Sequence, residues 1–212
     1  MVVVNEIFYS IQGETTRVGL PCVFVRLTGC DLRCVYCDSE YAFHDGSRMN
    51  ADEIERAVAL HGCRFVTITG GEPLLQEEVF PLMRRLADAG YDLQVETSGA
   101  VDVTPVDPRV RVILDIKTPA SGMLDRMDWK NIGRLRPGDE VKFVLMGRDD
   151  YDWAVNLLRE VRLPDGVPTL MSPAHGRLDP RDLAEWMKTD ALPARLQLQV
   201  HKYIWGPQER GV

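Results

Sequence analysis

The sequence predicts an α/β fold in which about six parallel strands, joined by crossover helices, form an open or incomplete barrel. Three observations predict it. Strand-like and helix-like segments alternate along the chain, as parallel neighbours require, because their ends can be joined only by long connections. Polar, glycine-rich segments follow the strand-like ones directly and therefore gather on one rim, where the chemistry of such sheets collects. At 212 residues, 45% hydrophobic and 27% charged, the chain can bury a sizeable core without staples.

The elements follow in order. Pro21 to Thr28 is β-rich and places Val23, Val25 and Leu27 on one face and Phe24 and Arg26 on the other. A helix starts at an Asn50 cap, carries Ile54, Ala57 and Val58 at helical spacing, and stops at Gly62. Phe65 to Thr69 reads as a short buried strand. The next helix buries Val79, Leu82, Met83 and Leu86 and ends at Gly90. Leu93 to Glu96, Val110 to Ile116 and Glu140 to Leu145 read as strands, followed by a helix with Ala154, Leu157, Leu158 and Val161. Pro168 to Met171 is a strand, Leu183, Trp186 and Met187 mark a helix, and Arg195 to Val200 is expected to be the last strand. No repeat, low-complexity tract or linker interrupts the chain. One domain over 1–212 is expected, with a loop at 29–40 and a tail at 206–212.

Charge and cysteine usage narrow the function. A net charge of −7 without a basic tract disfavours nucleic acid and anionic membranes as partners. No apolar run approaches the ~18 residues of a membrane span, and the first residues lack the pattern of a signal peptide. Five cysteines, three of them clustered, fit reduced thiols and a cytoplasmic location. Cys30, Cys34 and Cys37 are spaced C-x3-C-x2-C right after the first strong strand. Thiolates held that close are metal ligands or disulfide partners. A closed zinc site or a fully ligated [4Fe–4S] cluster wants four protein ligands, whereas three thiolates leave one iron of a cluster open. The rival is zinc completed by His44. Cys22 and Cys63 read as buried apolar side chains.

The cysteine run, with Gly70-Gly71-Glu72-Pro73 after the second strand, resembles the radical S-adenosylmethionine (SAM) superfamily, whose fold is a partial TIM-like barrel. Ile11-Gln12-Gly13-Glu14-Thr15, Arg26, Cys37-Asp38-Ser39 and Gln199-Val200-His201-Lys202-Tyr203 are similar, within it, to the 7-carboxy-7-deazaguanine synthase family of queuosine and 7-deazapurine biosynthesis. That resemblance implies a lyase that converts 6-carboxy-5,6,7,8-tetrahydropterin to 7-carboxy-7-deazaguanine with loss of ammonia. Cys30, Cys34 and Cys37 would carry the cluster that cleaves SAM. Tyr36, Cys37, Asp38, Gly70, Gly71, Glu96, Ser98, Lys117, Thr118, Pro119, Ser172, Pro173, Ala174 and His175 match the SAM-contacting segments. Ile11, Gln12, Gly13, Glu14, Arg26, Thr69, His201 and the Val212 carboxylate are the expected substrate contacts. Glu14 and Gln12 suit the amino-pyrimidinone edge, and Arg26 suits the substrate carboxylate through a two-pronged contact. Ser39 stands where the family places a Mg²⁺-binding hydroxyl, usually threonine.

A flavodoxin-like or similar electron donor is implied as a partner, and an exposed edge of an incomplete barrel favours a homodimer. Two other readings share features with this one. A glycyl-radical-enzyme activase has the same two motifs but must dock a protein. A non-enzymatic zinc-binding interaction module would need only the thiols. The tail after Trp205 is expected to fold back over the rim, anchored by that tryptophan.

Overall fold

Alternation of apolar with polar residues along each strand decides how the sheet divides its two faces. In a computed structural model describing residues 1–207 and 209–212, nine strands form one sheet. They are β1 (Val2–Ile11), β2 (Pro21–Leu27), β3 (Ser47–Met49), β4 (Phe65–Gly70), β5 (Asp92–Thr97), β6 (Val110–Ile116), β7 (Glu140–Leu145), β8 (Thr169–Pro173) and β9 (Arg195–Leu196). Their order is β3-β1-β2-β4-β5-β6-β7-β8-β9, parallel from β2 onwards and never closing β9 onto β3.

The outer face is apolar. Val66, Ile68, Leu93, Val95, Val112, Leu114, Val141 and Phe143 pack in one cluster with Ile54, Val58, Leu82, Met83, Leu86, Tyr151, Ala154 and Leu183 of the covering helices. Those helices are α1 (Ala51–Ala59), α2 (Val79–Asp88), α3 (Arg148–Glu160) and α4 (Pro180–Thr189). The Asn50 cap of α1 is a reciprocal box: Asn50 Oδ1 accepts the Glu53 N–H at 3.0 Å while the Glu53 carboxylate accepts the Asn50 N–H at 2.7 Å. Gly62 and Gly90 adopt φ of 63° and 80°, the left-handed stop that glycine permits.

Three elements differ from expectation. The first residues form the ten-residue strand β1, antiparallel to both β2 and β3, so the sheet is mixed. Two of the crossovers are built without α-helix: β5 reaches β6 through loop, and β6 reaches β7 through 3₁₀ turns in a segment punctuated by Pro119, Gly122 and Gly133. The last strand spans only Arg195–Leu196, and Val200–Ile204 forms a short helix, α5. The cause is local. The Val200 N–H donates to the Gly13 carbonyl at 2.9 Å, which pulls the chain off the sheet edge and into the barrel mouth.

The C-terminal ends of β4 and β5 are tied by a buried carboxylate. Glu72 is fully buried, and it accepts the Leu74 N–H at 2.9 Å, the Ser98 N–H and hydroxyl at 2.6 Å each, and the Thr97 hydroxyl at 2.9 Å. Burial pushes its carboxyl upward and these donors oppose that. Glu72→Ala strands two hydroxyls and two amides in the interior. The expected loss is about 3 kcal/mol or more, read as a lower midpoint in urea unfolding.

Candidate active site

The inner face of the same strands is polar, and it opens on a cleft of about 590 Å³ at their C-terminal ends. One wall is the loop after β2. It brings Cys30, Cys34 and Cys37 to the cleft as free thiols, each partly exposed, with Tyr36, Asp38 and Ser39 beside them. Burial raises all three thiols, Cys37 to about 11. The loop is fastened on several sides. The Gly29 N–H donates to Ala42 at 2.8 Å, the Val35 N–H donates to Ser121 at 3.1 Å, and Arg126 pairs with Asp31 at 2.7 Å.

The turn after β4 presses against this loop. The Glu72 N–H donates to the Gly29 carbonyl at 2.8 Å, and a Cβ on Gly71 would overlap that carbonyl and the Cys30 side chain. Gly70, at φ 138°, leaves no room for a Cβ against the Leu27 backbone. These glycines are therefore required by backbone approach.

Also in the cleft, Arg26 Nε donates to Glu6 at 2.7 Å, and no hydrogen bond is made by its Nη atoms among the described residues. Thr69 donates to Glu96 at 3.4 Å. Ile11 and Gly13 also line the cleft, and His201 is seated on Gly13 from α5, which leaves no space there for a Cβ. Burial lowers His201, so the imidazole is neutral near pH 7.

Some expected contacts are engaged within the protein. Gln12 is 1% exposed; its Nε2 donates to Thr67 at 3.1 Å and Glu96 at 3.3 Å, and its Oε1 accepts the Glu14 N–H at 3.0 Å. It holds Glu14 and Glu96 in place instead of presenting a free amide. The Ser98 hydroxyl is held by Glu72, and the buried Thr118 hydroxyl donates to the Val144 carbonyl at 3.3 Å. Thr118, Pro119, Ser172 and Pro173 do not line the cleft, although Lys117, Ala174 and His175 do. His44 is exposed and lies outside it, so it is not placed to complete a zinc site with the three thiols.

Lys142 and Asp115, which sequence reasoning passed over, complete the charge balance with residues it named. Lys142 on β7 pairs with Glu14 at 2.8 Å and with Asp115 at 3.4 Å, and Lys117 pairs with Asp115 at 3.2 Å. Gln199 donates to Glu14 and to Asp38, each at 3.0 Å, and Lys202 donates to Asp38 at 2.6 Å. The buried Asp115 Oδ1 and Tyr36 hydroxyl have no partner among the described residues. Three thiols on one wall, flanked by unpartnered polar atoms and a buried lysine, form a donor set that fits an iron–sulfur cluster with a polar ligand beside it.

The radical SAM superfamily model matches residues 24–176. A 7-carboxy-7-deazaguanine synthase of Koribacter versatilis is 45% identical over 99% of both chains, and one of Chlorobaculum tepidum is 44% identical over 99% of this chain and 96% of its own. The chain belongs to the 7-carboxy-7-deazaguanine synthase family of radical SAM enzymes. The crystal structure of QueE from Escherichia coli shares the fold, with a TM-score of 0.77 and 24% identity over 94% of each chain. Streptococcus suis SuiB bound to S-adenosylmethionine matches 81% of this chain and 48% of its own, with a TM-score of 0.56 and 15% identity. Membership in the superfamily brings a [4Fe–4S] cluster and SAM as cofactors, and membership in the family a small-molecule substrate. No helix among the described residues is long and apolar enough to cross a membrane.

In this family member, Glu96 is a buried carboxyl shifted towards neutrality. Burial raises its carboxyl to about 7, helped by Glu14 and opposed by Lys142 and Arg26. The folded state thus holds a proton that the unfolded state releases, and stability falls as pH rises from the ordinary 4.5 towards about 7. Glu96→Gln removes that slope, which thermal unfolding at the two ends of the window measures.

Proposed function

We propose that the chain converts 6-carboxy-5,6,7,8-tetrahydropterin to 7-carboxy-7-deazaguanine, releasing ammonia, as its relatives' name implies. One observation carries the reading: the three thiols, Glu14 and Arg26 all line a single cleft. Its volume of about 590 Å³ lies within the ~300–1,000 Å³ usual for small-molecule sites. What the cluster and SAM supply, when bound, is abstraction of a hydrogen atom from the substrate. Cys30, Cys34 and Cys37 hold the cluster. Tyr36, Asp38 and Lys117 flank SAM. Glu14 accepts N–H groups of the amino-pyrimidinone edge, and the two free Nη groups of Arg26 take the substrate carboxylate.

Magnesium is part of the proposal. Ser39 Oγ donates to Asp38 Oδ1 at 2.9 Å at the cleft wall, so a hydroxyl and a carboxylate stand together where a hard cation could bridge to the substrate. A flavodoxin-like donor, a cytoplasmic location and a homodimer paired along the exposed sheet edge complete the reading.

The tail argues against a protein substrate. Gly206, Pro207 and Glu209 to Val212 line the cleft, and the Arg210 guanidinium lies 4.1 Å from the centre of the Tyr41 ring. Trp205 is 39% exposed, so Arg210 on Tyr41 takes the anchoring part expected of the tryptophan. A mouth covered this way suits a heterocycle better than the loop of a partner enzyme.

The decisive experiment incubates reconstituted protein with SAM, a reductant, Mg²⁺ and 6-carboxytetrahydropterin. Formation of 7-carboxy-7-deazaguanine by the unaltered protein is expected, with Cys34→Ala losing iron and turnover and Cys22→Ala keeping both. Full iron content in Cys34→Ala, or zinc in place of iron, would overturn the assignment. Deleting Gly211 and Val212 should raise the substrate KM and leave SAM binding as it was; an unchanged KM makes the terminus a bystander.

A further inference from the structure

We propose that Lys142 is a positioning residue for this reaction: it fixes Glu14 as an acceptor-only carboxylate, and thereby selects heterocycles that present N–H donors at that edge. The inference rests on the substrate reading given above and adds to it a residue, a charge state and a selectivity.

The argument starts from geometry. Lys142 is 6% exposed on the inner face of β7, and its ammonium contacts Glu14 Oε2 at 2.8 Å and Asp115 Oδ2 at 3.4 Å. Glu14 Oε1 accepts only the neutral Gln199 amide, at 3.0 Å. Each oxygen therefore keeps a further lone pair for a ligand. The remaining charged neighbours of Glu14 are Glu96 of β5, Arg26 of β2, and on α5 His201 and Lys202, the latter bound to Asp38. Asp115 of β6 lies beyond Lys142. Glu96 and Asp115 have the wrong sign to stabilise a carboxylate. Arg26 is paired with Glu6 and Lys202 with Asp38, while His201, itself lowered by burial, acts on Glu14 less strongly than Lys142 does. Among the described residues Lys142 is the one cation in direct contact with Glu14.

An acid this enclosed protonates unless a cation compensates it. Burial alone would raise the Glu14 carboxyl; the Lys142 ammonium and its hydrogen bond, joined by His201 and the Gln199 amide, together bring it below the ordinary range. Charge state matters here because the two forms read different ligands. An ionised carboxylate accepts from the adjacent N–H groups of an amino-pyrimidinone. A protonated one offers an O–H against those same donors and opposes them, and it would suit a carbonyl instead.

The test uses reconstituted protein with SAM bound and compares Lys142→Met, Lys142→Arg and Lys142→Met/Glu14→Gln. Infrared difference spectra near pH 6 should show one protonated-carboxyl band gained in Lys142→Met relative to the unaltered protein, absent from Lys142→Arg and removed by adding Glu14→Gln. Calorimetric binding of 6-carboxytetrahydropterin should weaken about tenfold or more in Lys142→Met at that pH and recover towards pH 9 as Glu14 ionises, with Lys142→Arg close to the unaltered protein. No gained band, or weakening that does not vary with pH, overturns the proposal and leaves Lys142 a packing residue. If Lys142→Met fails to fold, Glu14→Gln serves in its place, because Lys142 keeps Asp115 as partner. That variant mimics the protonated acid and should bind the substrate about tenfold or more weakly at every pH, and unchanged binding overturns the proposal. Failure of the unaltered protein to turn over the pterin sinks the functional reading alone, since the infrared band reports on Lys142 and Glu14 without turnover.

Discussion

An open barrel must fill its lumen with groups that satisfy one another, and here the ion pair between Glu14 and Lys142 does that across the gap. The sheet does not close by strand pairing. Instead the connection between β1 and β2 dips into the interior and is held from the far side. Glu14 reaches Lys142, the Thr16 backbone and hydroxyl donate to Glu140 two residues earlier on the same strand, and Arg17 lies over Phe65 while pairing with Asp92. The C-terminal segment locks the same loop, since the Gly13 carbonyl accepts from both Val200 and Gln197. Seam closure and cleft wall are thus one construction.

Such a construction is costly on its own terms. A buried ion pair recovers its desolvation only when its remaining hydrogen-bonding capacity is met, and hydrophobic replacements are often as stable. Its retention in the lumen follows from what the lumen is for. Glu14 and Lys142 share their polar atoms with Gln199 and Asp115, and Thr15 beside them adopts φ 64°, a left-handed conformation unfavourable for a β-branched residue. Strain of that kind persists where surrounding contacts over-determine the backbone. Here the contacts are the Glu140 anchor on Thr16 and the Thr15 hydroxyl that accepts the Arg17 N–H at 3.1 Å.

Much of this architecture could be read from residues. The parallel order, the covering helices and the rim carrying the cysteines follow from segment alternation and from which segments bear polar, glycine-rich ends. The cleft residues found this way sit on motifs that are contiguous in sequence. What escaped reading is dispersed. Lys142 lies alone in an apolar-looking strand, yet the alternation Glu140-Val141-Lys142-Phe143 already assigns it to the polar face. Gln94 on β5 and Asp115 on β6 follow the same rule. Charged side chains recurring at every second position of buried parallel strands are the signal for a polar lumen. The strand β1 alternates as well, but an antiparallel addition cannot be told from a crossover pattern. The end of β9 depends on Gly13, almost two hundred residues away, and no local propensity reports that contact.

The same long-range closure joins the two halves of the chemistry. Gln199 donates from one amide nitrogen to Glu14 in the cleft and to Asp38 beside the last cysteine, and Lys202 holds Asp38 one helical turn further on. The short helix α5 exists because Val200 is captured by Gly13, so the contact that shapes the loop carrying Glu14 also sets the height of Gln199 and Lys202 against the cysteine loop. The backbone closure at Gly13 thus sets where the side chains of Gln199 and Lys202 stand between Glu14 and Asp38. An open barrel that closed by strand pairing would have no such element. The gap in the sheet is what admits it.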